Sequence, residues 1–145
     1  MSKMANFINL ETIKQFIYKR KVAFIASIDN EEFPNIKCML LPRKIEGLKT
    51  FWFSTNTSSM HVKQYRENLK ACLYFYCKGL KKYQGVMLKG IMEVLEDNEI
   101  KKELWENGDE IYYSQGVTDP DYCVLKFTAI SGRYYCNGET ESFEI

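Results

Sequence analysis

The residues FWFSTNTSSMHVKQYRENL (51–69), with ACLYFYCK (71–78) close behind them, decide how this chain folds. Phe51, Trp52 and Phe53 open as an aromatic strand, and six small polar residues, Ser54 to Ser59, end it. From Ser58 or Ser59 to Asn68 the pattern turns helical and carries His61, Lys63 and Arg66. Ala71 to Lys78 returns to strand, and its poor alternation reads as burial on both faces. A strand end, a hydroxyl-rich corner and a helix start bring hydroxyls and free main-chain N–H groups to one point, with cations behind them. Such a point suits an anion, and a phosphate group in particular. Thr55, Ser58 and Ser59 also suit helix capping, a role that draws on the same amides.

Working outward, Leu10, Ile13, Phe16 and Ile17 follow helical spacing over Leu10–Arg20, with Asn9 placed to cap. VAFIASI (22–28) reads as a buried strand, Asp29 to Glu32 as a turn, and Pro34–Leu41 as the returning strand. Pro42 and Gly47 bracket a connection into a third strand, Lys49–Ser54. GLKKY (79–83) turns the chain into a long strand, Gly85–Leu95, whose Gly90 predicts a bend or bulge. Asp97–Glu106 reads as a helix with Ile100, Leu104 and Trp105 on one side, and a short helix follows up to Tyr113. Tyr122–Thr128 and Ser131–Tyr135 read as two closing strands, and the charged runs KELWENGDE (102–110) and ETESFE (139–144) as solvated surface. The early connections are too short for the crossovers that parallel strands need. Five to seven mostly antiparallel strands with few helices predict a mainly β fold, a small barrel with peripheral helices, in one domain spanning 1–145.

Composition narrows the function classes. A formal net charge of +1 gives no reason to expect nucleic acid or an anionic membrane as partner. No apolar run approaches the roughly 18 residues of a bilayer span. The stretch MSKMANFINLETIKQF lacks the apolar core and cleavage site of a signal peptide, which predicts a cytoplasmic protein. Five cysteines without a C-x-x-C pair and a single histidine predict neither a complete disulfide framework nor a metal site. Ser-His-Asp, G-x-x-x-x-G-K and G-x-G-x-x-G arrangements are absent.

Four features in sequence order resemble the FMN-binding split-barrel proteins related to pyridoxamine 5′-phosphate oxidase, in particular the short general-stress-protein-like and nitroreductase-like members. They are the hairpin through Pro34 into IKCMLL, the strand FWFSTN leading into SSMH and its helix, the strand ACLYFYC, and GVMLKGIMEVLED with its mid-strand glycine. The closing DPDYCVLKFTAISGRYY is also similar to the last strands of the short members. The resemblance implies a homodimer with FMN at the subunit interface. On it, Lys37, Cys38, Met39 and Leu40 of the second strand meet the flavin and its phosphate, and Ser54, Thr55 and Ser59 supply hydroxyls. Where the oxidases place an arginine and a lysine against the phosphate, this chain has Met60 and His61. One permanent charge is lost, and the other is replaced by a group that ordinarily titrates near neutrality. Lys63 is placed to compensate if the helix start turns it inward. Gln84 lies beside the position of a flavin-facing glutamine, which Gly85 occupies in register.

The carboxyl terminus, GRYYCNGETESFEI, has no counterpart to the tryptophan and arginine motif with which the oxidases hold their substrate. The resemblance therefore implies a flavoprotein other than a pyridoxamine phosphate oxidase. The leading expectation is an oxidoreductase passing electrons from NAD(P)H to a small nitroaromatic or quinone-like acceptor, with the chemistry carried on the flavin. The alternatives are a non-catalytic flavin-binding stress or carrier protein, and a split-barrel scaffold with weakened FMN affinity.

Overall fold

The computed structural model describes residues 9–80 and 82–145. Helix α1 (Leu10–Tyr18) leads into strands β1 (Ala23–Ile28), β2 (Pro34–Met39), β3 (Lys44–Glu46) and β4 (Thr50–Asn56). Helix α2 (Met60–Glu67) precedes β5 (Lys70–Lys78) and β6 (Tyr83–Leu95). Helix α3 (Asn98–Leu104) and two single 3-10 turns come before β7 (Tyr122–Cys136) and β8 (Glu139–Glu144). The turn expected at 79–83 includes Lys81, and the leading residues 1–8 carried the signal-peptide reading. Both lie outside the described residues.

All strand pairs are antiparallel and form one sheet in the order β2-β1-β5-β6-β7-β4-β3. The long β7 carries two neighbours on one edge, β4 beside Tyr122–Thr128 and β8 beside Ser131–Cys136. The sheet curls on itself. Ile25 of β1, Phe51 and Phe53 of β4, Leu73 and Phe75 of β5, and Leu88 of β6 share one core, which α1 enters with Ile13, Phe16 and Ile17 and α2 with Val62 and Tyr65. A second cluster on the other face of β4 joins Trp52 to Leu104, Tyr113, Tyr122 and Val124. Gly90 is compulsory in this design. It sits at a bulge in β6, and a Cβ there would fall 2.1 Å from the Thr128 carbonyl oxygen.

Local chemistry explains the main joints. Asn9 caps α1 by accepting from the Glu11 N–H. Asp29 closes the β1–β2 hairpin by accepting from the Glu31 and Phe33 amides and from Asn35 Nδ2. Arg43, in the β2–β3 connection, makes a bidentate pair with Asp109 at 2.8 and 2.9 Å. Lys101 donates to the Asp119 carbonyl and lies over the Tyr122 ring, so a charged residue pins α3 to β7.

Four expectations need correction. The connection between Pro42 and Gly47 contains the short strand β3. The two closing strands are one continuous strand of 15 residues. ETESFE stays mostly exposed, as its charges suggest, but it is not loop. It is β8, returned by Asn137 and Gly138 at φ 49° and 88°, and its Phe143 packs on the core. Finally, β5 is buried on one face only, since Leu73 and Phe75 point inward while Tyr76 is exposed.

Candidate functional site

The polar corner forms where β4 ends and α2 begins, and its hydroxyls do not point outward together. Strand alternation sends neighbouring side chains to opposite faces. Thr55 follows Phe53 toward the main core, whereas Ser54 follows Trp52 toward the second cluster, where its Oγ is buried without a partner. Thr55 Oγ1 and Ser59 Oγ lie 2.9 and 3.1 Å from His61 Nε2. Ser59 Oγ already donates to the Asn56 carbonyl at 2.7 Å, so toward the ring it acts as an acceptor, which fits a proton on Nε2.

His61 is 4% exposed, and its ring is packed edge-on to Tyr65. Burial and, secondarily, the charge of Lys37 lower its pKa from 6.5 to about 4. The imidazole is therefore neutral at physiological pH and supplies no cation to a phosphate. A group expected to titrate near neutrality has been moved out of that range by its surroundings.

Ser59 is the N-cap residue of α2 by position, yet its side chain caps nothing. The N–H groups of Met60, His61 and Val62 have no acceptor among the described residues, while Lys63 N reaches the Ser59 carbonyl at 3.4 Å. Free amides at a helix start are the kind of group that can donate to an anion. Asp121 closes one side of the corner, accepting from the Ser58 N–H at 2.8 Å and from Asn56 Nδ2 at 2.9 Å. Those bonds hold its carboxyl below the ordinary value, so a negative charge flanks the corner. Thr57 Oγ1, in the same turn, is buried without a hydrogen-bond partner.

Strand β2 divides the residues assigned to the flavin. Lys37 pairs with Ile25 and Met39 with Ala23, so both lie on the face that looks toward α2. Lys37 is close enough to His61 to oppose its protonation. Cys38 pairs with Phe24 on the opposite face and lines a different cavity with Lys19, Lys21 and Tyr76, and Leu40, just past the strand, is exposed. Lys63 lies two residues beyond His61, about 200° round the helix. It faces a cavity of about 260 Å³ with Asp29, Asn35 and Glu67 instead of the corner. Gln84 donates to the Tyr134 hydroxyl at 2.8 Å. It stands three strands from Lys37, about 14 Å sideways and several residues further along β6. Nor is Gly85 an open cradle, because the Tyr74 hydroxyl fills the space a Cβ would take.

One chain thus brings together Lys37, Thr55, Ser59 and His61, sets Met39 on the same face of β2 as Lys37, turns the Met60 side chain to the cavity that Lys63 lines, and leaves Cys38, Leu40, Ser54 and Gln84 elsewhere. Sequence reading missed the parts that set α2 against β1 and β2. Gln64 accepts from Ser27 Oγ and reaches Asn35 Oδ1 at 3.5 Å, and Asn35 in turn holds Asp29. Polar residues on the buried side of an otherwise amphipathic helix were the available signal for Gln64. Asp121 had no local signal, as its partners lie more than 60 positions away.

The sequence matches the pyridoxamine 5′-phosphate oxidase like family over residues 9–144. Together with the antiparallel sheet and the strand–corner–helix unit, that extent shows that the chain belongs to this family and has its split-barrel fold. Among solved structures it is similar to a Clostridium acetobutylicum protein related to general stress protein 26 of Bacillus subtilis. The two are 40% identical, with 94% of each chain covered and a TM-score of 0.82. General stress protein 26 of Bacillus anthracis shares the fold at 17% identity, with 94% and 98% covered and a TM-score of 0.73. A candidate 5-nitroimidazole antibiotic resistance protein of Bacteroides thetaiotaomicron does so at 16%, with 94% and 88% covered and a TM-score of 0.67. No functionally curated protein matches the sequence. Among the described residues no helix is long and apolar enough to cross a membrane.

Proposed function

We propose that this protein binds FMN and passes electrons from a reduced nicotinamide nucleotide to a small nitroaromatic or quinone-like acceptor. The observation that carries the reading is the start of α2, where three unpartnered amides stand beside Lys37 in a chain of this family. The residues fit a phosphate group there. The amides of Met60, His61 and Val62 would donate to the phosphate oxygens, and Lys37 would supply the positive charge. Neutral His61 has a different part: by holding the hydroxyls of Thr55 and Ser59 it fixes the corner that presents those amides. Bound flavin would supply the redox chemistry, exchanging a hydride at N5.

A homodimer belongs to the same proposal. Gln84 and Lys37 lie apart within one chain, so a flavin touching both would have to sit between two copies. The exposed edge strand β2 offers the surface, with Phe33, Ile36 and Leu40 at 64%, 75% and 70% exposure. The shared fold with a candidate nitroimidazole resistance protein favours a nitroaromatic acceptor.

A weaker-binding scaffold is the second reading, favoured by the neutral His61 and the Asp121 carboxylate beside the amides. Titration of purified protein with FMN, followed by anaerobic NADH or NADPH and then a 5-nitroimidazole or a quinone, separates the two. Tight flavin binding, bleaching by the donor and recovery of colour with the acceptor are expected. Protein that takes up no FMN at micromolar concentration overturns the flavin reading, and binding without bleaching leaves a carrier.

A further inference from the structure

We propose that the flavin this corner holds best is the dinucleotide FAD, with its adenylate end in the cavity that runs from Met60 along α2. The inference rests on the reading of the α2 start as a flavin phosphate site, and adds a second compartment to it. The cavity, of about 260 Å³, lies between Met60, Lys63, Gln64 and Glu67 of α2 and the β1–β2 hairpin with Asn30 and Asn35. Complete small-molecule pockets occupy roughly 300–1,000 Å³, so a space of this size suits part of a larger ligand. Asn35 pairs with Ser27, and Ile36 with Ala26. The cavity is therefore on the opposite face of β1 and β2 from exposed Ile36, in the surface offered to a second copy.

Its groups stand along α2 in the order that a nucleoside diphosphate requires. The free amides come first, at Met60 to Val62. Lys63 stands about 4.5 Å beyond Met60 along the helix axis, and Glu67 about 6 Å beyond Lys63. Both are exposed, and neither lies within ion-pair distance of an opposite charge among the described residues. A free ammonium just past the first phosphate suits a second one. A free carboxylate past that suits a ribose diol, which acidic side chains hold in dinucleotide-binding folds. Gln64 is an independent sign of a ligand. It is 8% exposed, its Oε1 is fixed by the Ser27 hydroxyl, and its Nε2 has only a 3.5 Å contact to Asn35 Oδ1. A carboxamide nitrogen has two hydrogens to donate, so one is left unused in the cavity wall. Asn30 adds a second carboxamide, the group that reads adenine through N6 and N7. Asp29 also borders the cavity, with its charge offset by the Glu31 and Phe33 amides and by Asn35 Nδ2.

Calorimetric titration of the full chain with FMN, FAD and ADP tests the site. FAD should bind about tenfold more tightly than FMN, and ADP should compete with both. The double substitution Lys63→Ala/Glu67→Gln, at two exposed positions, should bring FAD down to the affinity of FMN and leave FMN itself unchanged. If that variant does not fold, Lys63→Gln alone should cost FAD about threefold with FMN again unchanged. Equal affinity for the two flavins in the unaltered chain, or an FAD advantage that survives these substitutions, overturns the inference and leaves the flavin reading standing. A chain that takes up neither flavin overturns both. Failure of this inference alone is thus read from FMN binding that FAD does not exceed.

Discussion

Two buried polar groups in this molecule meet opposite fates. Half-buried Arg43 and buried Asp109 meet between the β2–β3 connection and the segment after α3, and they remain charged because each holds the other at 2.8–2.9 Å. The pairing lifts the arginine further above its usual value and holds the aspartate below its own. His61 is as well buried, but its neighbours are two hydroxyls and a lysine, so it gives up its proton. Burial removes charge unless a partner of opposite sign comes with it.

The largest test of that contrast removes one partner. Asp109→Ala leaves the half-buried Arg43 with only the Leu104 carbonyl and the longer contact to Glu106, and should cost about 3 kcal/mol in a urea unfolding curve. A loss below about 1 kcal/mol would show the pair to be no more than a surface bridge. Next comes Lys37→Ala, which should weaken FMN binding by about 1.5–3 kcal/mol with the melting temperature unchanged. Wild-type affinity in that variant would remove Lys37 from the phosphate.

The pH dependence sharpens the comparison, because both groups lose stability on acidification but in separate windows. His61 has a lowered folded pKa, so its contribution is full above the unfolded value near 6.5 and falls away toward about 4. The loss should be about 2 kcal/mol, discounted for partial solvent access, and should disappear in His61→Leu. Asp109 is also lowered, so its share survives that window and is lost only as pH drops below about 4. FMN affinity should stay flat from pH 6.5 to 8, and a fall across that interval would mean that His61 is charged in the complex. The smallest effect is expected of Asp121→Asn, which removes the negative charge beside the free amides. It should tighten FMN by roughly twofold to threefold, about 0.5 kcal/mol, readable by fluorescence titration.

Much of the framework was legible. Hydrophobic spacing located α1, α2 and most of the strands, and Gly90 marked the bulge in β6. The misses share a cause. ETESFE was read from its charges, although Asn137-Gly138 just before it is a strong hairpin signal. In the corner, residue type alone did not give direction. One position of difference sends Ser54 and Thr55 to opposite faces, and two positions of difference turn Lys63 away from His61.

Sequence alone determined where most strands and helices lie, where the chain turns, and that a helix would start beside a run of hydroxyls, because these follow from local backbone preference and the period of apolar residues. Only the folded molecule decided which polar groups meet. Asp121 reached Ser58 and Asn56, Lys37 reached His61, and Gln64 met Asn35 beside a cavity. Those distances join residues far apart in the chain, and the charge each group carries depends on what the rest of the protein places next to it.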